Sequence, residues 1–330
     1  MIRSTYNSRR VFPMFNVKSF KDVQTKNIDE LIVKSELDWQ VVKEQCHTQD
    51  GKPIDGMFYL KRADNGVVLS GVGPQWTPVQ NKDKFAWFQS YLDSDLFEIA
   101  GAGSFDEGRE VAILARVKLP DVEIVKGDPV AFYVYLADTY GARCLRGSAV
   151  AIRLACANGA IRQDVVGAFK FRHSKQVGVK LESVQNTLSE LSHEFTKIAS
   201  DYKRMASRQL TSVEELRGYV ENVLEVKRKE DGSLSTRAKN TIDSLVNHVE
   251  GVELVRANLV DSILSSNDSE YQKGAGRNYW QAYNSVTDYL NHGYGHNEES
   301  RLDALLHGKS AETEKRAYEL ALGDNILIAS

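Results

Sequence analysis

The sequence has little of what membrane-embedded and disulfide-stapled proteins require. Its longest apolar run is Val130 to Ala137, far short of the roughly 20 residues that span a bilayer. The arginine-containing N-terminus has no apolar stretch after it, so we expect no signal peptide. The 3 cysteines are an odd number without a spacing pattern, which indicates free thiols in a reducing compartment. These absences predict a cytoplasmic protein that does not contact a membrane.

Motifs for nucleotide-driven chemistry are also missing. Gly-x-Gly occurs at 71–73, 101–103, 274–276 and 293–295, but none of these extends into a dinucleotide fingerprint or a phosphate-binding loop. Gly-Lys-Ser/Thr does not occur, and neither does the Gly-x-Ser-x-Gly turn of a serine hydrolase. The sequence therefore predicts no nucleotide cofactor and argues against an ATP-driven motor.

The histidines do not form a metal-binding pattern. His292 and His296 are four residues apart, as in some helical metal sites, but Gly293 and Gly295 favour a loop. No cysteine lies nearby at ligand spacing. We expect no bound metal, and we interpret these histidines as satisfied by ordinary hydrogen bonds.

Positive charge is concentrated in one stretch, Tyr140 to Lys180, which has eight basic residues and one acidic residue, a balance of +7. The chain before it counts 17 basic and 20 acidic residues, and the chain after it counts 17 and 24, within a protein of net charge −3. Such a concentration indicates an anionic partner, with nucleic acid the leading candidate. The alternative is that these cations pair with carboxylates elsewhere in the fold.

The hydrophobic periodicity changes along the chain. Residues 39–177 alternate as strands do, with Asp64-Asn65-Gly66 predicting a hairpin turn and residues 82–94 predicting a helix. The segment AVAIRLACAN is compatible with a strand or with a short helix. From Val177 helix-forming residues dominate, and an apolar stripe recurs at three and four residues: Val184, Leu188, Leu191, Phe195, Ile198 and Tyr202.

These patterns predict an α+β fold in which antiparallel β hairpins pack with helices, with a helical arm or bundle towards the C-terminus. Four regions follow from the composition shifts. They are an N-terminal arm at 1–38, a mainly β core with the basic segment at 39–177, a helical arm at 178–265, and C-terminal helices at 266–330 that pack back on the core.

Polar residues interrupt otherwise apolar elements in two parts of the chain. Arg153, Asn158 and His173 belong to the first group, and Asn284, Asp288 and His292 belong to the second. Buried polar groups need partners, so we expect the two groups to lie close together. The same residue types also suit contacts to phosphates and bases, and the sequence leaves both roles open.

Several blocks of the chain resemble a known family. They are PVQN at 78–81, AGAGSFDEGREVAILA at 100–115, DTYG at 138–141, IRLACAN at 152–158, RHS at 172–174 and WQAYNSVTDYLNH at 280–292. In their order and spacing these blocks resemble those of domain of unknown function 932, a family of phage- and plasmid-like proteins. The resemblance implies a protein of mobile elements, whose relatives are often encoded beside DNA replication and recombination genes.

The basic segment and the resemblance together predict a single-stranded DNA-binding protein. The sequence leaves open whether it anneals strands without ATP as a homo-oligomer or simply binds them as a monomer. The residues expected to contact nucleic acid are Arg143, Arg146, Arg153, Asn158, Lys170, Arg172, His173, Lys175, Asn284 and His292. One alternative is a metal-dependent nucleic-acid-processing enzyme built on Asp138, His173, Asp288 and His292. Another is an interaction protein, such as an anti-defence factor, that uses the helical arm as its contact surface.

Overall fold

A computed structural model describes most of the chain. The described residues are 20–141, 144–154, 158–162, 171–172, 181–250, 277–293, 300–301, 304–305 and 308–323. The strands within them are β1 (Phe20–Lys21), β2 (Val41–His47), β3 (Pro53–Arg62), β4 (Val68–Val72), β5 (Phe97–Phe105), β6 (Glu110–Val117), β7 (Val122–Val125), β8 (Asp128–Thr139), β9 (Cys144–Arg153), β10 (Asn158–Arg162) and β11 (Phe171–Arg172).

The helices follow the same order along the chain. They are α1 (Ile28–Lys34), α2 (Asn81–Phe85), α3 (Gln89–Asp93), α4 (Leu181–Ser207), α5 (Val213–Val223), α6 (Thr236–Glu250), α7 (Tyr279–Asp288) and α8 (Lys309–Leu322). A 3₁₀ turn at Ala86–Phe88 joins α2 to α3, and a π-helical turn at Tyr289–Gly293 extends α7. No helix among the described residues is long and apolar enough to cross a membrane.

Two antiparallel sheets organise the fold. The larger has eight strands in the order β1-β5-β6-β8-β9-β10, with β7 beside β8 and β11 beside β9. The smaller has the order β2-β3-β4. Because the strands are antiparallel and the C-terminal half is helical, the predicted α+β class is confirmed.

The middle of the large sheet is covered on both faces. The nine consecutive residues from Val130 to Asp138 on β8 are all buried, and successive side chains of a strand point to opposite faces. Helix α4 supplies part of the cover, since the rings of Phe132 and Phe195 stack with centroids 4.5 Å apart. The longest apolar run of the sequence, Val130 to Ala137, therefore belongs to β8, the central strand of the core.

The predicted hairpin between β3 and β4 is confirmed, but its geometry differs in detail. Arg62 donates its backbone N–H to Val67 (2.9 Å) and Gly66 has φ +76°. Asn65 keeps a negative φ and its side chain accepts from the backbone N–H of Val67 (3.0 Å). The turn therefore needs a left-handed residue at the glycine alone. In the segment AVAIRLACAN, which was compatible with strand or helix, the residues up to Arg153 belong to strand β9, and the last residue, Asn158, begins β10.

The C-terminal helices share the core with the sheet. Four members of the predicted stripe on α4 are buried, Leu191, Phe195, Ile198 and Tyr202. Helix α4 contacts β7, β9, α7 and α8, and helix α5 contacts α6, α7 and α8. The buried apolar side chains of sheet and helices belong to one cluster.

Candidate functional site

Two blocks that carried the family resemblance meet where α2 approaches the end of β8. Asn81 is the first residue of α2, and Tyr140 follows β8 directly. The Tyr140 hydroxyl donates to the Asn81 amide oxygen (2.6 Å), and the Asn81 amide nitrogen donates to the Leu37 carbonyl (2.9 Å). Since both side chains are buried, these bonds satisfy polar groups that water does not reach.

Lys84 and Asp138 form a buried ion pair beside these bonds. Lys84 lies three residues after Asn81, so both side chains project from the same side of α2. Its Nζ lies 2.5 Å from Asp138 Oδ2 and 3.1 Å from the centroid of the Tyr140 ring. The two side chains are only 3% and 2% exposed. We call Asn81, Lys84, Asp138 and Tyr140 the junction network.

Burial sets the electrostatics of the junction network. It lowers the pKa of the Lys84 ammonium to about 8, because lost hydration outweighs the attraction of the Asp138 carboxylate. Burial, with the nearby charge of Asp138, raises the pKa of the Tyr140 phenol above its ordinary value. At neutral pH Lys84 is therefore a cation, held by a carboxylate on one side and an aromatic face on the other.

The small sheet closes over the junction network. Trp39 packs against Tyr140 with ring centroids 5.9 Å apart, and the Arg62 guanidinium lies 4.3 Å from the centre of the Trp39 ring. Gly141 has φ +87°, and a Cβ at this position would lie 2.1 Å from Ser70 Oγ. The chain thus needs glycine where it leaves β8 and passes the small sheet. A lysine of lowered pKa can act as a nucleophile. Because the Lys84 and Asp138 side chains are enclosed by the surrounding residues, we interpret this ion pair as a structural junction between the two sheets and α2.

The lowered pKa of Lys84 predicts how stability depends on pH. An unfolded chain keeps this lysine protonated up to about pH 10.4, whereas the folded protein releases the proton near pH 8. Between these values the unfolded state binds more protons, so this group makes stability rise with pH. We compare the parent with a Lys84→Met/Asp138→Asn variant in urea titrations. We expect the unfolding free energy of the parent minus that of the variant to increase from pH 8 to 10. A constant or decreasing difference would contradict the lowered pKa.

A second buried network joins the sheet to the C-terminal helix α7. Asp128, the fully buried first residue of β8, accepts from Arg153 Nε (2.5 Å) on β9 and from Trp280 Nε1 (2.9 Å) on α7. The Arg153 side chain is 11% exposed. Asn284 donates its amide nitrogen to the Trp280 carbonyl (2.8 Å) and is itself buried. We call Asp128, Arg153 and Trp280 the helix anchor.

The structure brings part of the first polar group close to α7, the helix that carries Asn284 and Asp288. Arg153 reaches α7 through Asp128, and β10, which begins at Asn158, contacts the same helix. For Arg153 and Asn284 the contacts favour the buried-network role over contact with nucleic acid. Each already has its polar partner inside the protein.

His292 and Asp288 also come together, on the continuation of α7. His292 Nε2 lies 3.8 Å from Asp288 Oδ1, and burial lowers the pKa of His292 despite the attraction of Asp288. The glycine at 293 favoured a loop at this place, but the backbone of Tyr289–Gly293 is a π-helical turn. Among the described residues no group of three or more His, Cys, Asp or Glu side chains could hold a metal ion.

The other predicted nucleic-acid contacts divide into two sets. The structure describes only the backbone of Arg146, Asn158 and Arg172, which lie in β9, β10 and β11. Arg143, Lys170, His173 and Lys175 lie outside the described residues. Their predicted role stays a prediction.

Sequence reasoning missed Lys84, Asp128 and Trp280 as members of polar networks. Lys84 follows Asn81 by three residues within a segment rich in aromatics, which is a weak signal for a buried cation. Trp280 lies in a block that carried the family resemblance, and its indole N–H could have been expected to need an acceptor. No local pattern connects these residues to their partners, since Trp280 and Asp128 are 152 positions apart.

Comparison with known proteins gives one significant match. Curated proteins show no significant similarity to this chain, and neither do solved structures. A family model described as Domain of unknown function (DUF932) matches residues 68–316, a span that includes both members of the Lys84–Asp138 pair and the whole helix anchor. Since the match covers most of the chain, the protein belongs to the DUF932 family.

Proposed function

We propose that this chain is a single-stranded DNA-binding protein of a phage or another mobile element. It works in the cytoplasm of the host, binds the phosphate backbone and needs no nucleotide cofactor. The observation that carries the proposal is that the described parts of the basic segment form β9, β10 and β11 at one end of the large sheet. Its support is the strand register, which gathers residues from three separate stretches of that segment.

The register places the backbone of three arginines along one strand. Arg146 lies within β9, Arg162 of β10 pairs with Ala149, and Arg172 of β11 pairs with Cys144. Strands β10 and β11 both pair with β9, and β10 lies on the side opposite β8. Since a strand rises about 3.3 Å per residue, the three positions fall within roughly 17 Å along β9. Cys144 and Arg146 are two residues apart on β9, so the register assigns Arg172 and Arg146 to one face of the sheet and Arg162, opposite Ala149, to the other face. Two arginine positions on one face suit neighbouring phosphates of a nucleic-acid backbone.

The basic segment remains strongly positive when Arg153, which is paired with Asp128 in the helix anchor, is left out of the count. Without that residue, Tyr140 to Lys180 still has seven basic residues against one acidic residue, a balance of +6. Phe169 and Phe171 lie next to basic residues in the same segment. Aromatic rings near a basic track favour single strands, whose unpaired bases can stack on them.

A Lys170→Glu/Lys175→Glu variant tests the proposal. We expect it to bind single-stranded oligonucleotides about tenfold or more weakly than the parent at low salt. We also expect the slope of log affinity against log salt concentration to become shallower by about 0.7 for each lost phosphate contact. The matched control is Lys126→Glu/Lys203→Glu, which makes the same charge change at exposed lysines of the β7–β8 turn and α4. Gel shifts at two salt concentrations provide the readout, and parent-like binding by the Lys170/Lys175 variant would contradict the proposal.

Strand annealing is the proposed activity of the bound state. A homo-oligomer would place several basic segments side by side, which suits holding two strands against each other. The assay mixes complementary labelled strands without ATP or metal, with and without saturating protein. Acceleration over the spontaneous rate is expected, and no acceleration would leave binding without annealing.

A further inference from the structure

The turn between α5 and α6, together with the first residues of α6, carries a second concentration of positive charge. Residues 226–239 contain five basic residues, Lys227, Arg228, Lys229, Arg237 and Lys239, and two acidic ones, a balance of +3. All five basic side chains are exposed. The segment lies in a part of the chain that is otherwise acidic, since residues 181–330 count 17 basic and 24 acidic residues.

The turn has a defined backbone. Lys229 donates its N–H to the Ser233 carbonyl (2.8 Å), and Gly232, with φ +78°, donates to the Lys229 carbonyl (2.9 Å). The Asp231 carboxylate accepts from the Ser233 N–H (2.8 Å). Arg228 ties the turn to α5 through Glu221 (2.5 Å). The lysines on either side of Arg228 are therefore presented from an ordered support.

Nearby carboxylates on the flanking helices are already occupied by arginines. Glu221 pairs with Arg228, Glu225 with Arg316 (2.8 Å) and Asp243 with Arg217 (2.7 Å). Four cations of the turn form no ion pair with any residue that the structure describes: Lys227, Lys229, Arg237 and Lys239. These four cations outnumber the two carboxylates of the same segment, Glu230 and Asp231, so the segment keeps a positive balance although the surrounding region has an excess of acid.

We infer that the turn at 226–239 is a second surface for the phosphate backbone of a nucleic acid. The inference rests on the proposed DNA binding and extends it from the sheet edge to the helical region. Unpaired, exposed cations on a fixed turn suit backbone phosphates, since contacts of this kind give affinity without reading sequence. The surface would engage the same bound strand, or another strand of the same assembly.

A Lys227→Glu/Lys229→Glu variant tests this surface. We expect single-stranded DNA affinity at low salt to fall about three- to tenfold, and the salt slope to decrease by about 0.7 per lost contact. The Lys126→Glu/Lys203→Glu variant again controls for net charge. Because these side chains are exposed, circular dichroism and thermal unfolding should match the parent.

The outcomes separate this inference from the proposed function. If the parent protein does not bind single-stranded DNA, both fall together. If the parent binds, and the Lys227/Lys229 variant binds as the control does, the turn is not a contact surface while the sheet-edge proposal stands. A variant weaker than the control, with a reduced salt slope, supports the second surface.

Discussion

Replacing Asp138 with alanine should lower the free energy of unfolding by about 3–5 kcal/mol. The change leaves the Lys84 ammonium 3% exposed and without its carboxylate. The lysine must then lose its proton or draw water into the junction, and either response costs stability. Urea unfolding followed by circular dichroism measures the loss. A loss below about 1 kcal/mol would show that the pair does not hold the junction together.

The Lys84→Met/Asp138→Asn variant is the control for this prediction. It removes both charges while keeping similar side-chain volumes, so no charge is left buried and alone. We expect it to recover most of the stability that Asp138→Ala loses, because the cost of a broken buried pair comes mainly from the remaining ion. A double variant as unstable as Asp138→Ala would instead point to packing around Tyr140 as the source of the loss.

The sequence predicted secondary structure correctly where a local pattern, such as a hydrophobic period or a turn motif, determines it. The alternation within residues 39–177 and the turn at Asp64-Asn65-Gly66 predicted the hairpin of β3 and β4, because period two and turn residues are local properties. The stripe through Leu191, Phe195, Ile198 and Tyr202 identified α4 for the same reason. Helix α1 and strand β7 were missed, since segments of seven and four residues are too short to show a period.

Neither polar network could be predicted as a set of partners. The Lys84–Asp138 and Asp128–Trp280 contacts depend on how distant elements pack, and local patterns carry no information on which carboxylate meets which donor. The sequence showed only that polar residues interrupted apolar elements, and that buried groups of this kind need partners. This reasoning brought Arg153 close to α7 but did not identify Asp128 as the link.

The blocks that carried the family resemblance have mainly structural contacts in the described part of the chain. Asn81, Asp138 and Tyr140 hold the junction network, and Trp280 belongs to the helix anchor. These side chains are buried, so they maintain the relative positions of sheets and helices rather than contact a partner directly. In the proposed function the DNA contacts therefore come from the basic segment, which the sheet and its anchors hold in place.

The helix anchor makes a prediction about α7. Asp128→Ala should destabilise the protein by about 3–5 kcal/mol, because the Arg153 guanidinium and the Trp280 indole N–H both lose their buried acceptor. Trp280→Phe removes only one hydrogen bond and should cost about 1–2 kcal/mol, including the smaller ring. Urea unfolding measures both losses.

The segment that loses hydrogen-exchange protection in Asp128→Ala shows whether Asp128 anchors α7 or stabilises the core in general. Asp128 is the described carboxylate that links β8 and β9 to α7 by hydrogen bonds, so its removal should loosen the helix from the sheet. We expect hydrogen exchange in Asp128→Ala to speed up in Tyr279–Asp288 under native conditions more than in Glu110–Val117 of β6. Strand β6 lies inside the large sheet, between β5 and β8, and should open only with global unfolding. Equal acceleration in both segments would mean that Asp128 stabilises the whole core, and that α7 has no separate dependence on it.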